Sequence, residues 1–582
     1  MSALINALDS YTSKQIGEKG HAEHGWSNSI RERILQFSFQ LTRTDERGLH
    51  RLSLVLYDML DTLKAQHRTG SEQVVVTEYL ILLYKMIGQT RDIVSGKGEC
   101  SLTYMMIYTW YHFYPELAFY SINCLVDFGD DGKTHQYGSW KDIKYFCDYC
   151  YKQNFSLEHP LIQYSINIVN TQINTDYVNL ISNSDEISLA GKWVPREKSG
   201  RFGWMYQALA CNYFPRYLET ATEKSKPSAI LKCKTEYRQI LSSLNRKIDT
   251  LQIKQCGKVW SNIDFNKVTS VSLSKQKKAF LNVTKKGEPR FPEDEDRVKC
   301  AKHFQEHIQK AIRGEVDMKG KRVGLENFTK QAIDLINQNS PSFLEEKELL
   351  NSQWRDNSSQ TGALENMIAM VDVSGSMSGE PINAAIALGI RVAEKSKLGK
   401  RILTFSASPK WVNLEGKDDF VSMVQTLQNA EWGMTTNFYA ALNMILDTII
   451  ITNMEPEDVE GLTLAIFSDM QMDQADSSNH DTSVLYDKIR KNYADAGMRV
   501  KGKPYKPPHI LFWNLRSTNG FPTLSSQQNA SMMSGFSPAM LSQFCEQGIE
   551  SLQAASPWSL FLKGLENDRY SIMETKARCF FV

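Results

Sequence analysis

The strongest constraint on this chain is a change of hydrophobic period at Met367. Before it, apolar residues recur every three or four positions, as in residues 29–43 (SIRERILQFSFQLTR), 49–66 (LHRLSLVLYDMLDTLKAQ) and 71–89 (SEQVVVTEYLILLYKMIGQ). That spacing gives each segment one apolar stripe and predicts amphipathic helices. Short polar breaks such as SGKGEC, DFGDDGKTHQYGS and SNSDE separate them. Alternating strand patterns are scarce in this half. After Met367, short apolar runs alternate with helical segments, the pattern of a parallel sheet covered by helices. A chain of 582 residues exceeds what one core holds. The reading is therefore multidomain. An all-α, HEAT-like helical-repeat part spans 1–350, a polar linker 351–364, and a doubly wound α/β domain 365–582. Residues 283–300 (VTKKGEPRFPEDEDRVKC) are expected to be a polar connection inside the helical part.

The start, MSALINALDSYTSKQ, lacks the basic opening and apolar core of a signal peptide. The longest apolar stretches, Leu80–Ile87 and Ala441–Ile451, are too short to span a bilayer. The expectation is a cytoplasmic protein without a membrane partner; for a viral chain, the host cytoplasm or the virion. The cysteines follow no framework spacing, which suits reduced thiols. Cys147 and Cys150 form a CxxC without the second pair that zinc needs, and read as core positions of a helix.

Charge is uneven. Residues 191–290 carry 21 Lys and Arg against 7 Asp and Glu, although the whole chain is near neutral at +1. An excess of this size repels itself unless an anion answers it. Aromatics are interleaved with it (Trp193, Phe202, Trp204, Tyr206, Tyr213, Phe214, Trp260), most of them expected in the core. RNA or another polyanion is the expected partner, with Lys192, Arg196, Lys198, Arg201, Lys275, Lys277 and Lys278 as phosphate contacts.

Met367–Val371 reads as a buried parallel strand running into Asp372-Val-Ser-Gly-Ser-Met377 and a helix over Glu380–Lys397. Further strands are expected at Arg401–Ser406, Lys410–Leu414, Leu462–Phe467 and His509–Leu515, with a helix over Asn437–Thr448. In such sheets ligands sit beyond the carboxyl ends of the strands, near the point where the strand order reverses. Asp372, Ser374, Ser376 and Asp469 all fall there. Hydroxyls and carboxylates without thiol or imidazole suit a hard cation: Mg²⁺ first, with Mn²⁺ or Ca²⁺ as alternatives. A haloacid-dehalogenase site needs an acid where Ser374 stands, and Ser95-Gly-Lys-Gly98 lacks the rest of a P-loop.

DVSGSM resembles the DxSxS signature of the von Willebrand factor A domain and its metal-ion-dependent adhesion site. The resemblance implies direct coordination by Ser374 and Ser376, with Asp372 acting largely through water. It also implies a threonine from a later loop, best aligned with Thr436 and otherwise Thr435, and a second aspartate, Asp469. Helical repeats before such a domain resemble the Ro autoantigen, or TROVE, architecture. Closer still is an uncharacterised family of plants, fungi and large DNA viruses. It is carried by Arg91-Asp-Ile with Gly96-Lys-Gly98, Tyr137-Gly-Ser-Trp-Lys-Asp142, Leu189-Ala-Gly-Lys-Trp193-Val-Pro195, Trp260–Phe280, Phe512-Trp-Asn-Leu-Arg516 and Ser534-Gly-Phe-Ser537.

Together these features imply a non-enzymatic scaffold, its helical part binding RNA or another polyanion and its A domain binding a partner's Asp or Glu through the metal. The alternative is a purely protein–protein or assembly role. Catalysis by the serines would need a histidine base, and His480 and His509, the nearest by sequence, read as a loop and a strand-boundary residue.

Overall fold

The protein is described by a computed structural model over residues 14–69, 73–127, 136–338, 343–364, 366–405, 408–430, 438–471, 485–545 and 554–581. A short hairpin pairs β1 (Lys14–Ile16) with β2 (Ala22–His24). The main sheet has six strands: β3 (Met367–Asp372), β4 (Arg401–Phe405), β5 (Lys410–Asn413), β6 (Thr463–Ser468), β7 (His509–Asn514) and β8 (Ala530–Ser534). Their order is β5–β4–β3–β6–β7–β8, with β5 alone antiparallel to its neighbour. β4 follows β3 on one side and β6 returns on the other, so the order reverses between β3 and β6.

Strand side chains alternate between two cores, as a pleat of period two demands. Met370, Leu464, Ile466, Ile510 and Phe512 join one core; Ala369, Val371, Ala465, Phe467, Leu511 and Trp513 join the other. The first core is continuous with the helices between Ile30 and Lys247. The second takes in the helices Leu325–Asn337, Phe343–Ser358, Glu380–Lys395 and Phe420–Gln428. A third, smaller core joins Ser270–Phe280 to Glu295–Ile312. The chain is thus mostly helical before Met367 and α/β after it, and the helical half covers both faces of the sheet.

Helix Glu380–Lys395 lies close on β3. A Cβ on Gly389 would stand 2.5 Å from Val371 Cγ2, so glycine sets that approach. Gly389→Ala is expected to cost about 1–3 kcal/mol, read as a lower urea midpoint.

Several expectations need correction. Residues 14–24 form the β-hairpin rather than helix, and β8 is a strand that the hydrophobic pattern does not mark. Residues 295–300 of the expected polar connection are the first turns of a helix capped by Asp294. Residues 351–358 of the expected linker belong to helix Phe343–Ser358, where Trp354 is buried against Phe420, their ring centroids 4.0 Å apart. The C-terminal helices Pro557–Leu565 and Ser571–Phe581 pack back on helix Gln73–Arg91 of the helical half. Cys147 and Cys150 are buried free thiols; burial pushes Cys147 up to about 12, out of reach of thiolate chemistry. Among the described residues no helix is long and apolar enough to cross a membrane.

Candidate metal centre

β3 delivers Asp372 to the carboxyl edge of the sheet beside Ser468 and Asp469 at the end of β6, at the point of strand reversal. After β3 the chain turns through Gly375–Met377, and Gly379, at φ 96°, admits the chain to the next helix. Ser374 N–H donates to Asp372 Oδ1 at 2.9 Å, and Ser468 Oγ donates to Asp372 Oδ2 at 2.6 Å. Ser374 Oγ and Ser376 Oγ stand 3.2 Å apart. Two neighbouring ligands of an octahedral ion with bonds of about 2.1 Å are separated by about 3 Å, so one cation can accept both hydroxyls.

Asp372 and Asp469 are fully buried. Burial, and next the charge of Asp469, push Asp372 up to about 6, with hydrogen bonds from Ser468 and Ser374 opposing the rise. A divalent cation would offset this repulsion. Asp469 already has protein donors: Gln471 N–H reaches Oδ1 at 3.1 Å and Arg516 Nη1 reaches Oδ2 at 3.0 Å. A second lone pair remains on each oxygen. The donor set therefore fits a hard cation, with Arg516 as a competing positive charge. Among the described residues no group of three or more His, Cys, Asp and Glu side chains could hold a metal; this set has two carboxylates and two hydroxyls. Thr435, Thr436 and His480 lie outside the described residues. His509 begins β7, at the opposite edge from Asp469, and its Nε2 meets Ser531 Oγ at 2.6 Å.

Ser468 and Arg516 are contributors that the sequence reading did not assign. A signal existed for both: Ser468 precedes the chosen Asp469, and Arg516 closes the quoted Phe512–Arg516 segment. The hairpin gave none. Glu18 N–H donates to Gln471 Oε1 at 2.9 Å, Glu18 Oε2 stands 3.5 Å from Arg516 Nη2, and Glu23 accepts from Gln471 Nε2 at 3.2 Å. Those contacts span more than 440 residues of chain, as in the 448 between Glu23 and Gln471.

The expected phosphate contacts fall on separate elements. Lys192 is on the short Ala190–Trp193 helix, and Arg196, Lys198 and Arg201 follow it; all but half-buried Lys192 are exposed. Arg201 is committed to Asp148, at 2.5 Å. Lys275, Lys277 and Lys278 lie on helix Ser270–Phe280, where Lys277 pairs with buried Glu346 at 3.1 Å and Lys278 stands 3.8 Å from it. Other cations of the basic stretch are also answered, Arg238 by Glu197 and Lys247 by Asp185. Of the interleaved aromatics Tyr206 is fully buried and the rest are half-buried, several of them packed on the first core.

Residues 366–574 match a family described as a domain of unknown function (DUF7788), and residues 162–356 match a second one (DUF2828). The two matches meet at the change from helices to sheet. "Uncharacterized protein L728" of Acanthamoeba polyphaga mimivirus is 28% identical over 501 residues, covering 83% of this chain and 78% of that protein. The likeness to a viral protein thus extends through both halves.

Proposed function

We propose that this protein is a binding scaffold whose second half is a von Willebrand factor A-type domain, capturing an acidic side chain of a protein partner at a divalent cation. The observation that carries this reading is the pair of serine hydroxyls 3.2 Å apart beside two buried aspartates at the strand reversal. Ser374 and Ser376 would hold the ion directly, with Asp372 and Asp469 supplying negative charge behind them. A bound Mg²⁺ or Mn²⁺ supplies an open position for a carboxylate oxygen. Ser468 fixes the Asp372 carboxylate, and Arg516 limits the negative charge of the site.

The test is metal titration of the full chain by calorimetry, with unfolding followed with and without metal. Asp372→Ala is expected to weaken Mg²⁺ binding by at least about 100-fold. At 100 times the dissociation constant the metal should stabilise the parent by about 2.7 kcal/mol and the variant hardly at all. Equal affinity in both proteins would remove the reading. Once metal binding is established, a pull-down that survives nuclease but not chelator identifies the partner.

A Ro-like, HEAT-type helical half that binds RNA or another polyanion is the second reading. The exposed Arg196 and Lys198 favour it. It is weakened by the commitment of Arg201 to Asp148 and of Lys277 and Lys278 to Glu346. RNA binding that falls steeply with salt would support it.

A further inference from the structure

Helix Ser270–Phe280, the turn after it and helix Leu325–Asn337 enclose a groove of ≈ 850 Å³, remote in sequence from the metal loop. Its lining holds six lysines, Lys275, Lys277, Lys278, Lys285, Lys286 and Lys330, against two carboxylates, Asp334 and Glu346. Glu346, only 3% exposed, is met by Lys277 and Lys278, and Lys278 Nζ also donates to the Lys285 carbonyl at 3.0 Å. Lys275, Lys285, Lys286 and Lys330 are exposed and have no ion pair among the described residues. Cations gathered around one concavity repel each other, and an anion that enters relieves the cost. Burial holds the Lys277 ammonium below its ordinary value even with Glu346 beside it. Six lysines against two carboxylates leave the groove's positive charge uncancelled by its own acids.

The chemistry of the lining narrows the ligand. Among the described residues it contains neither an aromatic ring nor an arginine, and its apolar members there are Val271, Val323 and Leu335. Bases bound in single strands stack on aromatic or guanidinium planes, and the described lining offers none. Lysine reads charge as a point rather than planar shape. The volume lies within the range of about 300–1,000 Å³ typical of small-molecule sites. We propose that this groove binds a compact polyphosphate, several phosphates clustered on one small molecule, as in an inositol polyphosphate or an inorganic oligophosphate. Lys275, Lys285, Lys286 and Lys330 bind the phosphates, while Glu346 anchors Lys277 and Lys278 at the wall. The site is independent of the metal reading.

Calorimetry on the full chain tests it, with inositol hexakisphosphate, tripolyphosphate and a short single-stranded RNA as separate probes. At least one polyphosphate should bind with one-to-one stoichiometry, and the stronger of the two identifies the source class. The double variant K275E/K330E changes two exposed side chains, so its melting temperature should match the parent's while its affinity falls by about tenfold or more, equivalent to about 1.4 kcal/mol. Lys491→Glu, exposed on helix Leu485–Lys501 and outside the groove, should bind as the parent does. The proposal is overturned if neither polyphosphate binds, or if K275E/K330E binds as tightly as the parent. It is equally overturned if RNA alone binds and loses affinity in the double variant, which would make the groove a nucleic-acid site.

Discussion

Arg43→Ala is expected to destabilise the protein by about 3–5 kcal/mol, read as a fall in the midpoint of urea unfolding. Arg43 lies between two N-terminal helices and gathers three carboxylates from distant parts of the chain. Its Nη2 and Nε donate to Glu99 at 3.0 and 3.2 Å, and its Nη1 donates to Glu326 at 2.9 Å and Glu380 at 3.0 Å. The guanidinium also stacks on Phe536, 4.8 Å from the ring centroid. Glu99 and Glu326 are 7% and 8% exposed, so removing Arg43 leaves two carboxylates in low dielectric without their cation. That desolvation penalty, rather than loss of attraction, dominates. Glu380 is 58% exposed, and water screens its pairing; Glu380→Ala should cost less than about 1 kcal/mol. Arg43→Lys tests geometry against charge, because lysine cannot reproduce the fork. A loss below about 1 kcal/mol for Arg43→Ala would mean that the three acids reach water by local rearrangement. Glu380 begins the helix that follows the Asp372–Met377 loop, so the same clasp ties the candidate metal loop to the helical half.

What the sequence makes legible is what local chemistry dictates. Asp372, Ser374 and Ser376 lie within five residues, and a strand followed by a tight turn brings them together locally, with Ser468 of β6 then holding the Asp372 carboxylate. The buried runs at Met367, Arg401, Leu462 and His509 carry enough β-branched and aromatic side chains to read as strands. Ala530–Ser534 (ASMMS) carries none, and becomes a strand because β7 offers it a parallel edge from Ile510 to Asn514. The hairpin at Lys14–His24 is equally dependent on context, since His24 bridges to Phe521 across the chain. Motifs proved easier to see than their partners. Gly96-Lys-Gly98 is no phosphate loop: buried Lys97 donates to the Ser38 and Leu41 carbonyls and to Ser534 Oγ, the last of these 437 residues away. Ser534 opens another quoted motif, so two segments singled out separately meet in one contact. Arg91 and Asp142, also quoted apart, form a bidentate buried pair at 2.8 Å. Period and composition cannot encode such meetings, because they depend on how distant helices stack. The basic stretch taught the opposite lesson: the cation excess was visible, but whether Glu346, Asp148 or Glu197 answered it was not.

Arg569→Met is the second large effect, expected to cost about 3–5 kcal/mol and to release the C-terminal helices to limited proteolysis before global unfolding. Arg569 binds Asp92 through both nitrogens, Nε to Oδ2 at 2.7 Å and Nη2 to Oδ1 at 2.6 Å. Asp92 is completely buried at the end of helix Gln73–Arg91, where it also accepts from Val94 N–H at 2.9 Å and Ser95 N–H at 3.3 Å. Tyr570 adds its hydroxyl at 3.3 Å, and Tyr137 donates to the Arg569 carbonyl at 2.5 Å. Burial, with the charge of Asp92 beside it, pushes the Tyr570 hydroxyl well above its ordinary value, so it remains a donor. Methionine keeps much of the stem's apolar packing but leaves Asp92 with backbone and phenol donors only, too few for a buried charge. The paired substitution Asp92→Asn with Arg569→Met should recover part of the loss, since it removes the orphaned charge along with its partner. That recovery distinguishes an electrostatic clasp from simple packing: if the double variant is as unstable as the sum of the singles, the helices are held by Met573, Ala577 and Phe581 in the core rather than by the ion pair. Helix Ser571–Phe581 also carries Glu574 to Lys85 and Arg578 to Glu78, both on helix Gln73–Arg91. Proteolysis confined to residues 554–581 in Arg569→Met would then identify Asp92 as the anchor around which those outer pairs assemble.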